Sequence, residues 1–167
     1  MDSLLPPEIG ALARRVIEEN VAIGRKVAVA ESCTGGLVAA ALTEVPGSSA
    51  VLDRGFVTYS NEAKIQLLGV SEDLIDTFGA VSIAVAWSMA QGALKKSGAD
   101  VAVAITGVAG PDGGSDQKPV GTVVFACAKV GEDPEATNAE LKLFDGAKTR
   151  AEVRYQATLV ALELLLP

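Results

Sequence analysis

Twice along this chain an apolar run that reads as a buried strand gives way to a dense polar segment and then to a helical run. The two segments are Ala30-Glu31-Ser32-Cys33-Thr34-Gly35-Gly36 and Thr58-Tyr59-Ser60-Asn61-Glu62-Ala63-Lys64. Strand, polar turn and helix in that order form the unit of an open α/β sheet, which holds ligands and catalytic groups at the carboxyl ends of its strands. The first segment supplies a candidate nucleophile, Ser32, and the second a candidate base, Lys64. The chain contains no histidine, so a nucleophile here has to be activated by another group.

The rest of the pattern fits the same architecture. Residues 7–22 have helical spacing, with Ile9, Leu12, Val16 and Ile17 on one face. Strands are expected over Lys26–Ala30, Val51–Tyr59, Asp100–Ile105, Val120–Lys129 and Ala139–Phe144. Helices are expected over Thr34–Glu44, from an Asn61 cap through Leu68, over Ser71–Phe78, from Ser82 to near Ser97-Gly98, and over Thr149–Leu165. Pro46-Gly47-Ser48-Ser49 stops the second helix. The alternation predicts a single domain over residues 1–167, a three-layer α/β/α sandwich on a mixed, mostly parallel sheet of about five strands. The two consecutive C-terminal strands exclude a wholly parallel sheet.

Composition narrows the function. Only 4% of residues are aromatic, so Ala, Val and Leu do the packing. A net charge of −7 argues against a nucleic-acid-binding surface but leaves room for one small anion held by local cations. Cys33 and Cys127 have no metal or redox spacing, and without histidine a zinc site is not expected. A reducing cytosol is the expected compartment. No signal peptide is read at the N-terminus, and the apolar runs are too short and interrupted to cross a membrane.

Three segments carry candidate chemistry. A hydroxyl between a strand and a helix lies near free backbone N–H groups, which bind phosphate or stabilise an oxyanion. Ser32 fits that role, and the competing reading is that Ser32 or Thr34 merely caps the helix. Cys33 is a rival nucleophile if it is activated, and otherwise a small buried apolar residue. Lys64 falls in the first turn of its helix, where the dipole disfavours a cation. Burial in that field would lower its pKa and provide a neutral amine, whereas an exposed lysine would do nothing. Tyr59 is placed to bind a substrate or to orient a proton, or else is a strand aromatic. The loop Thr106-Gly107-Val108-Ala109-Gly110-Pro111-Asp112-Gly113-Gly114-Ser115 can turn several N–H groups into one concavity. It lacks the spacing of a Walker A loop or a dinucleotide fingerprint. Lys118, Arg150 and Arg154 are the cations available to such a site.

Glu31 to Gly36, Gly47-Ser48-Ser49, Arg54 to Lys64, Gly79-Ala80-Val81-Ser82, Thr106 to Gly114 and Lys118 to Thr122 together resemble the CinA C-terminal domain family, over essentially the whole chain. The resemblance implies hydrolysis of nicotinamide mononucleotide to nicotinic acid mononucleotide and ammonia, in pyridine nucleotide recycling. It implies no cofactor and no metal. Catalysis would fall to Ser32 and Lys64 with Tyr59. Substrate contacts would come from Glu31, Cys33, Thr34, Gly35 and Gly36, and from Thr106, Gly107, Gly110 and Arg150. The expected partner is a small-molecule nucleotide, with no nucleic acid and no membrane, and a homo-oligomer is expected. The rival functions are a competence- or damage-associated nucleotide-binding module without turnover, and an amidase with another substrate.

Overall fold

The two faces of the central sheet carry side chains of different size, and this difference sets how closely the helices approach. The computed structural model describes residues 3–167. In chain order the elements are α1 (Pro7–Ile23), β1 (Val27–Glu31), α2 (Leu37–Thr43), β2 (Leu52–Val57), α3 (Asn61–Leu68), α4 (Glu72–Phe78), α5 (Ile83–Lys95), β3 (Val101–Gly107), β4 (Thr122–Lys129), β5 (Asn138–Leu143) and α6 (Arg150–Leu164). The sheet runs β2-β1-β3-β4-β5. Strands β2, β1 and β3 are parallel, whereas β4 pairs antiparallel with both β3 and β5, so only β4 is reversed. The expected mixed, mostly parallel sheet of five strands between helical layers is what forms.

Strand alternation sorts the core. Val27 and Val29 of β1, Val101, Val103 and Ile105 of β3, and Val123, Phe125 and Cys127 of β4 point to the face covered by α1, α2 and α6. Their alternate neighbours Ala28, Ala30, Ala102, Ala104, Val124, Ala126 and Ala128 point to the opposite face. That face is mostly alanine, so α5 lies close to it through its own Ala86, Ala90 and Ala93. The chain steps from β1 outward to β2 through α2, then back across β1 to β3 through α3, α4 and α5. Right-handed crossovers therefore place the two connections on opposite faces. The carboxyl ends of β1, β2 and β3 consequently open onto one crevice.

Several boundaries differ by one to three residues from the sequence expectation, and three of them have a local reason that bears on the site. Helix α2 starts at Leu37 rather than Thr34, because Gly35 and Gly36 take left-handed φ values of 60° and 99° and hold the intervening residues in a turn. Strand β2 ends at Val57, and Thr58 makes one last parallel-type bond by donating its N–H to Glu31 O at 2.9 Å. Ser60, not Asn61, caps α3, since its Oγ accepts from Ala63 N at 3.0 Å. This leaves the Asn61 side chain free of the capping role.

One close contact sets the position of α3. A Cβ built on Gly92 of α5 would lie 2.0 Å from Leu68 O, so only glycine lets the last turn of α3 rest on α5. Lys64 sits one turn upstream on the same helix. Replacing Gly92 by alanine forces two backbones apart, a kind of overpacking that costs about 1–3 kcal/mol or more. Gly92→Ala is expected to lower the unfolding midpoint in denaturant and to reduce whatever activity depends on Lys64. An unchanged midpoint would show that the contact is slack.

Candidate active site

Ser32 is held by the sheet. Its N–H donates to Ile105 O at 2.9 Å, extending the β1–β3 pairing by one residue and placing Oγ at the carboxyl edge. The turn that follows is clamped from two sides. Glu31, fully buried, accepts from Val38 N at 3.0 Å and from Ala39 N at 3.1 Å, so its carboxylate satisfies free amides where α2 begins. Arg154 of α6 donates from Nε to Cys33 O at 3.1 Å and from Nη2 to Thr34 O at 3.2 Å. Inside the turn, Gly35 N donates to Ser32 O and Leu37 N to Thr34 O. Among the described residues, the N–H groups of Cys33, Thr34 and Gly36 have no acceptor.

Lys64 approaches from the other side. Helical Cβ vectors tilt toward the N-terminus, so a residue one turn into α3 reaches back under the strand ends. Its side chain is 1% exposed. Nζ lies 3.0 Å from Ser32 Oγ, 2.9 Å from Thr58 O and 3.3 Å from Tyr59 O. Nζ donates to the Ser32 hydroxyl oxygen and to the two carbonyls. A neutral amine has two N–H donors and one lone pair, so once the proton is lost the two carbonyls still accept and the serine hydroxyl can turn to donate. Burial pushes the Lys64 pKa below its ordinary 10.5, against a smaller upward pull that Cys33 exerts as a thiolate. Burial also pushes Cys33 up to about 11, so near neutrality it is a thiol rather than a thiolate. Of the two candidate nucleophiles, only Ser32 has an adjacent base.

These groups line a cavity of about 260 Å³ with Ser32, Cys33, Tyr59, Lys64, Thr106, Gly107 and Arg150 in its wall. Five expected contact residues are not in that wall. Glu31 precedes the serine turn and Thr34, Gly35 and Gly36 build it without lining the cavity, and Gly110 takes part only through its carbonyl, which accepts from Arg150 Nη1 at 2.7 Å. Glu31 in particular is engaged by α2 amides and is turned away from the cavity. The Tyr59 hydroxyl meets Arg150 Nη2 at 2.8 Å, while the carbonyl of the same residue faces Lys64. The expected proton-orienting role of the phenol therefore has no hydrogen bond to the serine–lysine pair, and Tyr59 with Arg150 forms a side of the cavity. Thr106 Oγ1 donates to Ala80 O, and Lys118 Nζ to Phe78 O outside the cavity.

Sequence reasoning missed Asn61, Ala80, Val81 and Ala109, which complete the wall, and the grip of Arg154 on the serine turn. Ala80 and Val81 sit just ahead of the Ser82 cap, and their apolar side chains gave no chemical signal. A larger groove of about 550 Å³ lies between β5 and α6, lined by Leu143 to Ala147 with Glu152, Tyr155 and Gln156. It contains no nucleophile–base pair. Among the described residues, no group of three or more His, Cys, Asp or Glu side chains is placed to hold a metal ion, and no helix is long and apolar enough to cross a membrane.

The fold and site define an α/β/α sandwich with a serine–lysine pair at the carboxyl edge of its parallel strands. The CinA C-terminal domain family model matches residues 10–167, and the chain belongs to that family. The chain is 51% identical over 162 residues to the nicotinamide-nucleotide amidohydrolase PncC of Enterobacter agglomerans, covering 97% of this chain and 92% of that protein. The protein of the same name from Escherichia coli K12 is 52% identical over 159 residues, covering 95% and 93%. A putative competence-damage inducible protein of Symbiobacterium thermophilum is 50% identical over 169 residues, covering 98% of this chain, but the chain spans only 38% of that relative's length. The crystal structure of the competence/damage inducible protein CihA from Agrobacterium tumefaciens superposes with a TM-score of 0.92 at 49% identity, covering 98% of this chain and 96% of that one.

The lowered Lys64 pKa has a consequence for stability. Between the folded pKa and 10.5 the unfolded chain binds a proton at Lys64 that the folded chain does not, so folding stability rises with pH across that window. Below the folded pKa the penalty is constant. Wild type is therefore expected to gain on a Lys64→Met variant as pH rises toward 10.5, by up to about 1.4 kcal/mol per pH unit. Urea unfolding of both proteins across pH measures it. Parallel curves would contradict a desolvated lysine.

Proposed function

We propose that this protein hydrolyses the carboxamide of nicotinamide mononucleotide, releasing ammonia and nicotinic acid mononucleotide, with Ser32 as nucleophile and Lys64 as base. The observation that carries this reading is the 3.0 Å approach of a fully buried Lys64 Nζ to Ser32 Oγ. An amine stripped of water and facing a hydroxyl has the position and the basicity to take its proton. The substrate is proposed from the amidohydrolase names of relatives that align over nearly their whole length.

In this mechanism the Ser32 hydroxyl gives its proton to Lys64 as Oγ attacks the amide carbon. The resulting oxyanion is assigned to the N–H of Cys33, an unpaired amide of a residue in the cavity wall, in the turn that Glu31 and Arg154 hold in place. The C–N bond then breaks, and protonated Lys64 supplies the proton that the departing nitrogen needs to leave as ammonia. Water enters and gives a proton to Lys64 as its oxygen adds to the acyl carbon; the bond from that carbon to Ser32 Oγ then breaks, releasing the acid while the proton returns to Ser32 Oγ. Each step moves one proton between Lys64 and a neighbour, so no metal-bound water is required. Arg150 keeps guanidinium N–H groups beyond those on Tyr59 and Gly110, and is assigned to the ribose phosphate together with the Gly107–Gly114 loop. The proposed place of the reaction is pyridine nucleotide recycling.

The test is ammonia release from nicotinamide mononucleotide after chelation. Ser32→Ala and Lys64→Met are expected to lose at least about 10²–10⁴-fold in kcat while remaining folded. Wild-type kcat/KM is expected to rise with pH as Lys64 loses its proton, on a limb lying below 10.5. Ser32→Ala retaining most of the rate would eliminate the nucleophile assignment. Nucleotide binding by folded wild type without ammonia release would favour the binding-module reading.

A further inference from the structure

The charge inventory of the cavity is opposite in sign to that of the protein. The chain carries 21 acidic residues against 14 basic ones, yet the cavity wall includes Lys64 and Arg150 and no Asp or Glu. Neither cation takes part in an ion pair among the described residues. Glu31, adjacent to Ser32 in the chain, has both carboxylate oxygens on α2 amides. Lys64 is faced by neutral groups from most of the elements around it. These are Ser32 and the Cys33 thiol from the turn after β1, the carbonyls of Thr58 and Tyr59 from the end of β2, Thr106 from β3, and Ala80 and Val81 from the segment ahead of α5. The charged groups around the site are Glu31, whose carboxylate is turned to the α2 amides, and two cations of α6, Arg150 in the cavity wall and Arg154 on the serine turn. A buried amine without a counter-ion, in a pocket with a second cation, is a site built to receive an anion.

Given the proposed amide hydrolysis, on which this inference rests, the reaction itself creates that anion. Hydrolysis breaks the C–N bond, forms a C–O bond from water, and leaves a carboxylic acid beside Lys64. The acid is a far stronger proton donor than an alkylammonium ion, so its proton passes to Lys64 Nζ when ammonia leaves as the neutral base. The outcome is a carboxylate against an ammonium in a place with little water to screen either. The carboxamide substrate carries the same ribose phosphate and gains nothing from this pairing. We infer that the cavity binds the pyridine carboxylate mononucleotide more tightly than the carboxamide mononucleotide, so that the product inhibits the enzyme through an ion pair with Lys64.

Substrate and product then respond to pH in opposite directions. Turnover needs the neutral amine and improves as pH rises, whereas product retention needs the protonated amine and weakens. Product inhibition is strongest near neutrality and is relieved in alkaline solution.

The experiment is calorimetric titration of nicotinic acid mononucleotide and nicotinamide mononucleotide into folded Ser32→Ala, near neutral and at alkaline pH, beside a Ser32→Ala/Lys64→Met variant. Inhibition of wild-type ammonia release by added nicotinic acid mononucleotide is measured in parallel. The expected result is about tenfold or tighter binding of the acid near neutrality, a gap that closes on the alkaline side, and no gap without Lys64. Equal or weaker binding of the acid, or a gap that survives Lys64→Met, overturns the inference. Ammonia release without the gap would sink this inference and leave the amidase reading standing. The gap without ammonia release would do the reverse, leaving a carboxylate-selective binding site without turnover.

Discussion

Removing the Lys64 amine from water is the constraint around which the site is organised. A lysine in solution is an ammonium ion and a poor base, and desolvation is the means available here to change that without histidine. The fold meets the requirement with several local devices. Ser60 caps α3 so that Lys64 faces back toward the strand ends, and Gly92 lets α3 rest directly on α5. The carbonyls of Thr58 and Tyr59 take the amine hydrogens, and Glu31 is kept from neutralising the site by the amides of α2. A carboxylate placed against Nζ would hold the proton on, so the absence of an acid from the cavity wall belongs to the same design.

The two-sided sheet explains how such a site can be precise in a chain with so few aromatic residues. On the valine face, α1, α2 and α6 are spaced by larger side chains, and Arg154 reaches from α6 to the serine turn. On the alanine face, α5 is drawn in and brings α3 with it. The nucleophile is thus referenced to one layer and the base to the other, with the sheet edge between them. Ser32 and Lys64 meet only where both layers are correctly packed, which couples the chemistry to the core. Gly107 shows how tight that meeting is, since a Cβ there would lie 2.8 Å from Val123 Cγ2 and 3.1 Å from Cys33 Sγ.

Much of this was legible in the sequence where a side chain had one physical use. Strand alternation and turn residues gave the three-layer mixed sheet, and Ser82 and Thr149 were read as helix starts that the structure shows with capping bonds. Lys64 stood out because a cation in the first turn of a helix runs against the dipole, and the structure shows it buried. Residues with two uses were not separable. Glu31 lies beside the nucleophile in the chain but serves the α2 amides, and Tyr59 offers a carbonyl and a hydroxyl that face different partners. Residue chemistry alone left Arg150 and Arg154 undivided, and only the resemblance singled out Arg150; the two share a face of α6, and one turn of rise puts Arg150 in the cavity wall and Arg154 on the serine turn. Asn61 was assigned as a cap because either it or Ser60 fits that role, and only the backbone decides between them.

The central claim is that Lys64 is depressed enough to act as a neutral base, and its own titration is the direct measure. Lysine labelled with ¹³C at Cε, followed by NMR as pH is raised, reports the protonation of each side chain, and Lys64→Met identifies the resonance. The account predicts one lysine that loses its proton well below 10.5, apart from the other lysines of the chain. A Lys64 resonance that titrates with the rest would contradict it, because a permanently charged lysine cannot take the proton from Ser32.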